Sequence, residues 1–237
     1  MKKIITAAVA LITALPLLLT GCFDEPLSDE QKEWFSILQE NYPDDTFVCK
    51  GHGIAQLGSI DYDSIRVTSE LFEGRQFGVW MIDGQLVSDY TRVYHEEAVE
   101  SYYGGIVSEY FDCDDIEIRY MDLKAKPIDY MSHEDYIEEY AFPHFNAILF
   151  YDDGRGYPDE DEIVSSIIQY LSTVPQDQHV SITFYFCRTD AGDPYQDNDM
   201  KYCVDYSNGT VYEIEDCMED RVIITDQSLE DLAADYM

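Results

Sequence analysis

The chain has 237 residues, 49 acidic and 14 basic, for a formal charge of −35 at neutral pH. So few Lys and Arg exclude recognition of DNA or RNA through the phosphate backbone, and docking on anionic lipid through a basic face. With 46% hydrophobic and 14% aromatic residues, the composition also excludes wholesale disorder and supplies apolar surface for one domain or two small ones.

Lys2 and Lys3 precede an apolar run, Ile4 to Leu19, broken by Thr6, Thr13 and Pro16. The run falls short of the roughly 20 apolar residues a spanning helix needs, and Pro16 would kink it. Positive charge followed by a short apolar stretch is the pattern of a secretory signal peptide. It ends in Leu19-Thr20-Gly21-Cys22: an aliphatic residue, two small ones, then cysteine. This stretch resembles the lipobox of bacterial lipoproteins, and no family resemblance extends beyond it. The resemblance implies that 1–21 is a signal peptide removed on export and that the Cys22 thiol receives a diacylglycerol. The mature chain would then be fixed to a bacterial membrane through acylated Cys22, with 22–27 as a short tether and 28–237 as an acidic ectodomain outside the cytoplasm. Two or more acyl chains on one residue make such anchoring effectively permanent. Strong negative charge favours an ectodomain repelled from the anionic surface and from its own copies; a compositional habit of the host's exported proteins explains it equally well.

In the ectodomain, Ser28 with Gln31 reads as a capping box, followed by Trp34, Phe35 and Leu38 at helical spacing. Asn41 and Pro43 end that helix. Thr46 to Cys49, Ser64 to Ser69 and Gln76 to Ile82 read as strands, and Asp83-Gly84 as a turn. A helix is predicted from about Thr91 to Phe111, with Val99, Tyr102, Tyr103, Ile106 and Tyr110 as its apolar stripe and Glu96, Glu97 and Glu100 near its start. Asp115 to Met121 alternates as a half-buried strand. A short helix follows from Ser132 through Tyr140, then an apolar strand from Asn146 to Tyr151 and a turn at Asp152-Asp153-Gly154. The strongest helix spans Asp159 to Val174, with acids in its first turn and Ile163, Val164, Ile167, Ile168 and Leu171 on one face. Val180 to Cys187 reads as a strand, Met200 to Tyr206 and Thr210 to Glu215 as a hairpin turning at Asn208-Gly209, and Arg221 to Thr225 as a further strand. Asp226 is placed to cap a last helix carrying Leu229, Leu232 and Tyr236. The fold class is therefore α+β, with helices packed on a mostly antiparallel sheet. Strand, Asp-Gly turn, helix, strand occurs twice, over about 76–121 and 146–187, which would divide the ectodomain into similar halves, 28–126 and 127–237. The same order is common in unrelated α+β proteins, and residue identity between the two stretches is poor.

Outside the cytoplasm disulfides persist. Besides Cys22 there are Cys49, Cys113, Cys187, Cys203 and Cys217, an odd number. Cys187 and Cys203 lie symmetrically about Tyr195 and would bridge if their segments pair as a hairpin; Cys203 with Cys217 is the competing pair. Cys49 and Cys187 also fit as small buried hydrophobes. The loop holding Asp190, Asp193, Asp197 and Asp199 is the candidate calcium site, since calcium takes several converging oxygens; it lacks the EF-hand register, and Asp, Gly and Pro are ordinary loop residues. No other cofactor is indicated. His95 and His133 stand beside helix-start acids and read as exposed, without the second histidine of a zinc-protease helix. Most of the 20 tyrosines fall on inward-facing positions, Tyr195 being the clearest exception. The expected function is a membrane-anchored, surface-exposed binding or interaction module for an unidentified protein, envelope component or cation. A hydrolase of envelope polymers using two carboxylates is the alternative, although so many acids make close pairs inevitable. A calcium-ordered surface domain is the third.

Overall fold

The computed structural model describes residues 26–57, 59–121, 125–129, 131–152, 154–190 and 192–236. The leader and the candidate acylation site Cys22 lie outside these residues, as do Asp153 of the expected turn and Ala191 of the acidic loop. The described residues form an α+β fold in two compact units. The first comprises the described residues up to Tyr90 together with 126–129, and the second the remainder. Among the described residues no helix is long and apolar enough to cross a membrane.

The first unit opens on helix α1 (Asp29–Asn41). Ser28 and Gln31 form a reciprocal capping box: Ser28 Oγ accepts from Gln31 N at 3.1 Å and Gln31 Oε1 accepts from Ser28 N at 3.0 Å. This satisfies two amide donors that a helix start otherwise leaves open. The helix buries Trp34 and Leu38 and lies against strands β2 (Ile60–Ser69) and β3 (Gln76–Ile82). These belong to a five-stranded antiparallel sheet in the order β1-β2-β3-β4-β6, with β1 Phe47–Leu57, β4 Gln85–Ser88 and β6 Lys126–Pro127. At the hairpin of β3 and β4, Asp83 and Gly84 both take positive φ, 51° and 82°. That two-residue turn matches the twist of the flanking strands, and only residues such as Asp and Gly tolerate it. Strand β1 extends well past Cys49, because its second half, after a register shift between Cys49 and Gly51, pairs with β2 up to Leu57 opposite Ile60.

The core of the first unit gathers around Tyr90. Its ring meets Tyr42, Phe47, Phe72 and Phe77 edge-on, with centroids 4.7–5.7 Å away. Its hydroxyl donates to Asp45 at 2.7 Å. Asp45 is buried, and its carboxylate also accepts from Ser69 Oγ and from the amides of Thr46, Glu70 and Leu71. Burial alone would raise the Asp45 pKa; the hydrogen bonds from Ser69, Tyr90, Leu71 and Thr46 outweigh it and hold the carboxyl below its ordinary value.

The second unit is built on a six-stranded sheet, β11-β10-β9-β8-β7-β5. Its strands are β5 (Asp115–Tyr120), β7 (His144–Tyr151), β8 (His179–Arg188), β9 (Asn198–Ser207), β10 (Thr210–Asp216) and β11 (Arg221–Ser228). Only β7 and β8 run parallel, because helix α4 (Glu160–Leu171) carries the chain back between them. The hairpin of β9 and β10 turns at Asn208-Gly209, with φ of 52° and 75°. Helices α2 (Asp89–Val107), α3 (His133–Tyr140) and α5 (Leu229–Tyr236) complete the set. Ile163, Val164, Ile167, Ile168 and Leu171 of α4 form one buried core with Ile182, Phe184 and Phe186 of β8. Each such side chain removed from water stabilises the fold by roughly 1.5–3 kcal/mol.

The two strand-turn-helix-strand stretches are wired differently. In the second, β7 and β8 are neighbours in one sheet; in the first, β3 and β5 belong to different sheets. A repeat of element order is therefore not a repeat of topology. The last helix also departs from expectation. Its first turn is closed by Ser228 Oγ accepting from Asp231 N at 3.4 Å, while Asp226 is held inside β11 at a φ of 50°. The strongest helix behaves as its sequence reads: Asp159 and Glu162 form a capping box, with both bonds at 3.0 Å. Asp159→Ala is expected to cost about 1 kcal/mol of stability, read as a lower urea midpoint with unchanged slope.

Candidate functional site

A cleft of about 400 Å³ opens in the second unit between α2, α3 and the chain just after α4. Tyr103 and Tyr170 form its floor and are buried. Tyr103 is fixed from both sides: its hydroxyl donates to Ala141 O at 3.2 Å, and its ring packs 4.7 Å from Phe145. Burial pushes both phenols far above their ordinary pKa, so they stay neutral and present apolar faces. Tyr102, half exposed, stands edge-on to Tyr103 with centroids 5.2 Å apart. On the facing wall, one helical turn of α3 presents Glu134 and Glu138, both exposed, with Ile137 between them. The i, i+4 spacing puts the two carboxylates on one face. Among the described residues no Lys, Arg or His lines the cleft.

This combination suits a ligand with an apolar body and a positive charge. Aromatic faces attract cations through the ring quadrupole, and the two glutamates add charge of one sign at the lip. The overall charge of −35 reinforces that preference at long range. Another cleft in the same unit, lined by Tyr151, Tyr157, Asp161 and Glu162, has its cation already engaged: Arg155 pairs with Asp112 and Asp114.

The residues singled out from sequence are placed as follows. Asp190, Asp193, Asp197 and Asp199 do not converge. Asp193 accepts from Tyr195 N at 3.0 Å and Asp197 from Asp193 N at 2.9 Å, both closing the loop's own turns. Asp199 turns away to Tyr157 Oη and Arg188. A calcium site of these four would need one focus, and local turn chemistry directs their oxygens elsewhere. Tyr195 is partly exposed, its ring edge-on to Tyr185 at 5.0 Å and the Arg119 guanidinium 5.0 Å from its centroid.

The expected Cys187–Cys203 bridge is not supported by the ladder. Strands β8 and β9 do pair as a hairpin, but Cys187 lies opposite Asn198 and Cys203 opposite Thr183. The hairpin is centred two residues before Tyr195, and a shift at Phe186/Cys187 moves the pairing further. Cys187 is instead a buried small residue whose thiol burial pushes up to about 11, as its apolar surroundings predict. The competing pair, Cys203 and Cys217, is brought together with Glu215.

His95 overturns the exposed reading. It is fully buried on α2, its ring stacked on Tyr136 at 4.1 Å and 6°. Its Nδ1 lies 2.9 Å from Nδ1 of the exposed His133, one donating and the other accepting according to tautomer. Its Nε2 is buried with no hydrogen-bond partner among the described residues. Burial, then the neighbouring His133, depress its pKa to about 4. Neither the histidine pair nor the cleft is legible from local pattern: Tyr102 and Tyr103 read simply as a core stripe. The one available signal was the paired Glu134 and Glu138 on a short helix.

No known protein family matches the chain, and no curated protein does. A crystal structure of a DUF5037 family protein from Ruminococcus gnavus ATCC 29149 is similar to it, with 12% identity and a TM-score of 0.36, over 85% of this chain and 96% of that one.

Proposed function

We propose that this chain is an exported lipoprotein, held to a bacterial membrane by acylated Cys22, that binds a small organic cation in the tyrosine-floored cleft. The observation that supports this reading is the cleft's lining, with Tyr102, Tyr103 and Tyr170 facing Glu134 and Glu138 and no basic residue among the described lining residues. A rigid aromatic floor binds an apolar body at little entropic cost, and the carboxylates select its charge. Permanent anchoring would keep the first unit close to the bilayer, since the tether is only a few residues long.

Calorimetric titration of the full-length chain in detergent tests the binding reading. Aryl- and alkylammonium compounds are expected to bind, and carboxylates of matching size not to bind. Glu134→Gln with Glu138→Gln should weaken the ammonium compounds about tenfold, the effect shrinking at high salt. Equal affinity for the carboxylates, or an unaffected double variant, would sink the proposal. Mass spectrometry of the mature N-terminal peptide tests the anchor: a bare Cys22, or a peptide still joined to its leader, would remove it.

A further inference from the structure

A second cluster lies on the opposite face of the six-stranded sheet from the buried core. The ladder of β9 and β10 sets Glu215 directly opposite Cys203. Cys217 is the first residue after β10; its amide donates to Lys201 O at 2.8 Å, which continues the ladder by one step and brings its thiol beside the other two groups. Both thiols and the carboxylate are half-buried, and their ligand atoms all lie within 4.8 Å of one another. The core face of the same strands is taken by Tyr202, Val204 and Ile214.

The geometry points to a binding site for one thiophilic divalent cation of the zinc class, held by Cys203 Sγ, Cys217 Sγ and a Glu215 carboxylate oxygen. Ligands about 2.3 Å from a tetrahedral ion stand about 3.7 Å apart, so the three groups need to close only slightly. Two sulfurs select zinc or cadmium over calcium and magnesium, which take oxygen ligands. Three protein ligands leave the fourth tetrahedral position to solvent. Binding displaces the two thiol protons to the buffer. Two thiolates, a carboxylate and a divalent ion leave one negative charge. Lys201, cross-strand from Cys217 on the same face, is placed to offset it.

The same ladder argues against a disulfide. Because Glu215 occupies the position opposite Cys203, Cys217 is its diagonal neighbour. Diagonal Cα atoms stand about 7–8 Å apart, beyond the roughly 4.4–6.8 Å span of a disulfide. Closing the bridge would require the backbone at Cys217 to move.

Cadmium is the direct probe. The full-length chain, reduced, stripped with chelator and kept in detergent, is titrated with Cd²⁺ while its ultraviolet thiolate-to-metal charge-transfer band is followed. One equivalent per chain is expected, with Cys203→Ser and Cys217→Ser each cutting the band by at least about half, the double variant abolishing it, and Cys113→Ser leaving it unchanged. Glu215→Gln keeps both thiols and nearly the same shape, so it carries the test if the serine variants unfold. It should retain a band but lose about tenfold or more in affinity, because a neutral amide oxygen is a weaker ligand than a carboxylate. A band surviving in the double serine variant, no loss with Glu215→Gln, or Cys203 and Cys217 resisting alkylation in chain isolated without reductant would overturn the assignment.

Discussion

Replacing Asp45 with alanine is expected to destabilise the first unit by about 3–5 kcal/mol. One carboxylate there satisfies five donors: Ser69 Oγ, Tyr90 Oη and the amides of Thr46, Glu70 and Leu71. Alanine strands all of them, several away from water. Asparagine preserves the shape but turns one acceptor into a donor, so Asp45→Asn should fall between alanine and the parent. The readout is selective. Both tryptophans, Trp34 and Trp80, lie in the first unit, so fluorescence during urea unfolding follows that unit. A loss below about 1 kcal/mol for Asp45→Ala would show that the carboxylate is dispensable. The same group sets an acid limit. Its folded pKa lies below the ordinary 3.8, so its contribution is present above the unfolded value and is lost as pH falls through the folded one.

The second large effect belongs to His95 and comes at milder acidity. Its folded pKa is about 4, against about 6.5 in an unfolded chain. Below pH 6.5 the unfolded chain therefore takes up a proton that the folded one refuses, and stability falls with pH. The slope is about 1.4 kcal/mol per pH unit, for a total of about 3 kcal/mol by pH 4. The groups facing the ring account for the refusal. Tyr136 stacks on it and Tyr94 meets it edge-on, keeping it from water, and His133, within hydrogen-bond reach, adds like charge when protonated. Urea unfolding followed by circular dichroism at pH 7.5 and pH 5 should show the loss. His95→Phe keeps an aromatic ring against Tyr136 and removes the proton acceptor, so its stability should be much flatter across this window. An identical slope in that variant would assign the acid sensitivity to other groups.

How far each feature could be read in advance follows from how local its cause is. The capping box of Ser28 and Gln31, the two turns at Asp83-Gly84 and Asn208-Gly209, and the acid-led amphipathic helix ending before Pro175 were all legible, because the residues responsible sit within a few positions of one another. Strands β4 and β6 were not. Four residues and two residues carry no periodicity; they are strands only because a partner strand accepts and donates along them. The solvent-facing halves of β1 and β2 are illegible for the same reason: the two strands extend by pairing with each other rather than by burying one face.

Taken alone, the amino-acid sequence determined the α+β class, most helices and their polarity, and the turns, since propensity, capping and side-chain period act over a few residues. The tertiary structure decided which residues meet. Counting about the loop matches Cys203 with Cys187, yet a ladder centred two residues away sets Cys203 opposite Thr183 on one side and Glu215 on the other. His95 and His133 are 38 residues apart and form a pair because two helices fold together. Register, crossover and burial are properties of the packed chain, and a displacement of one residue in a strand exchanges the faces on which its side chains stand.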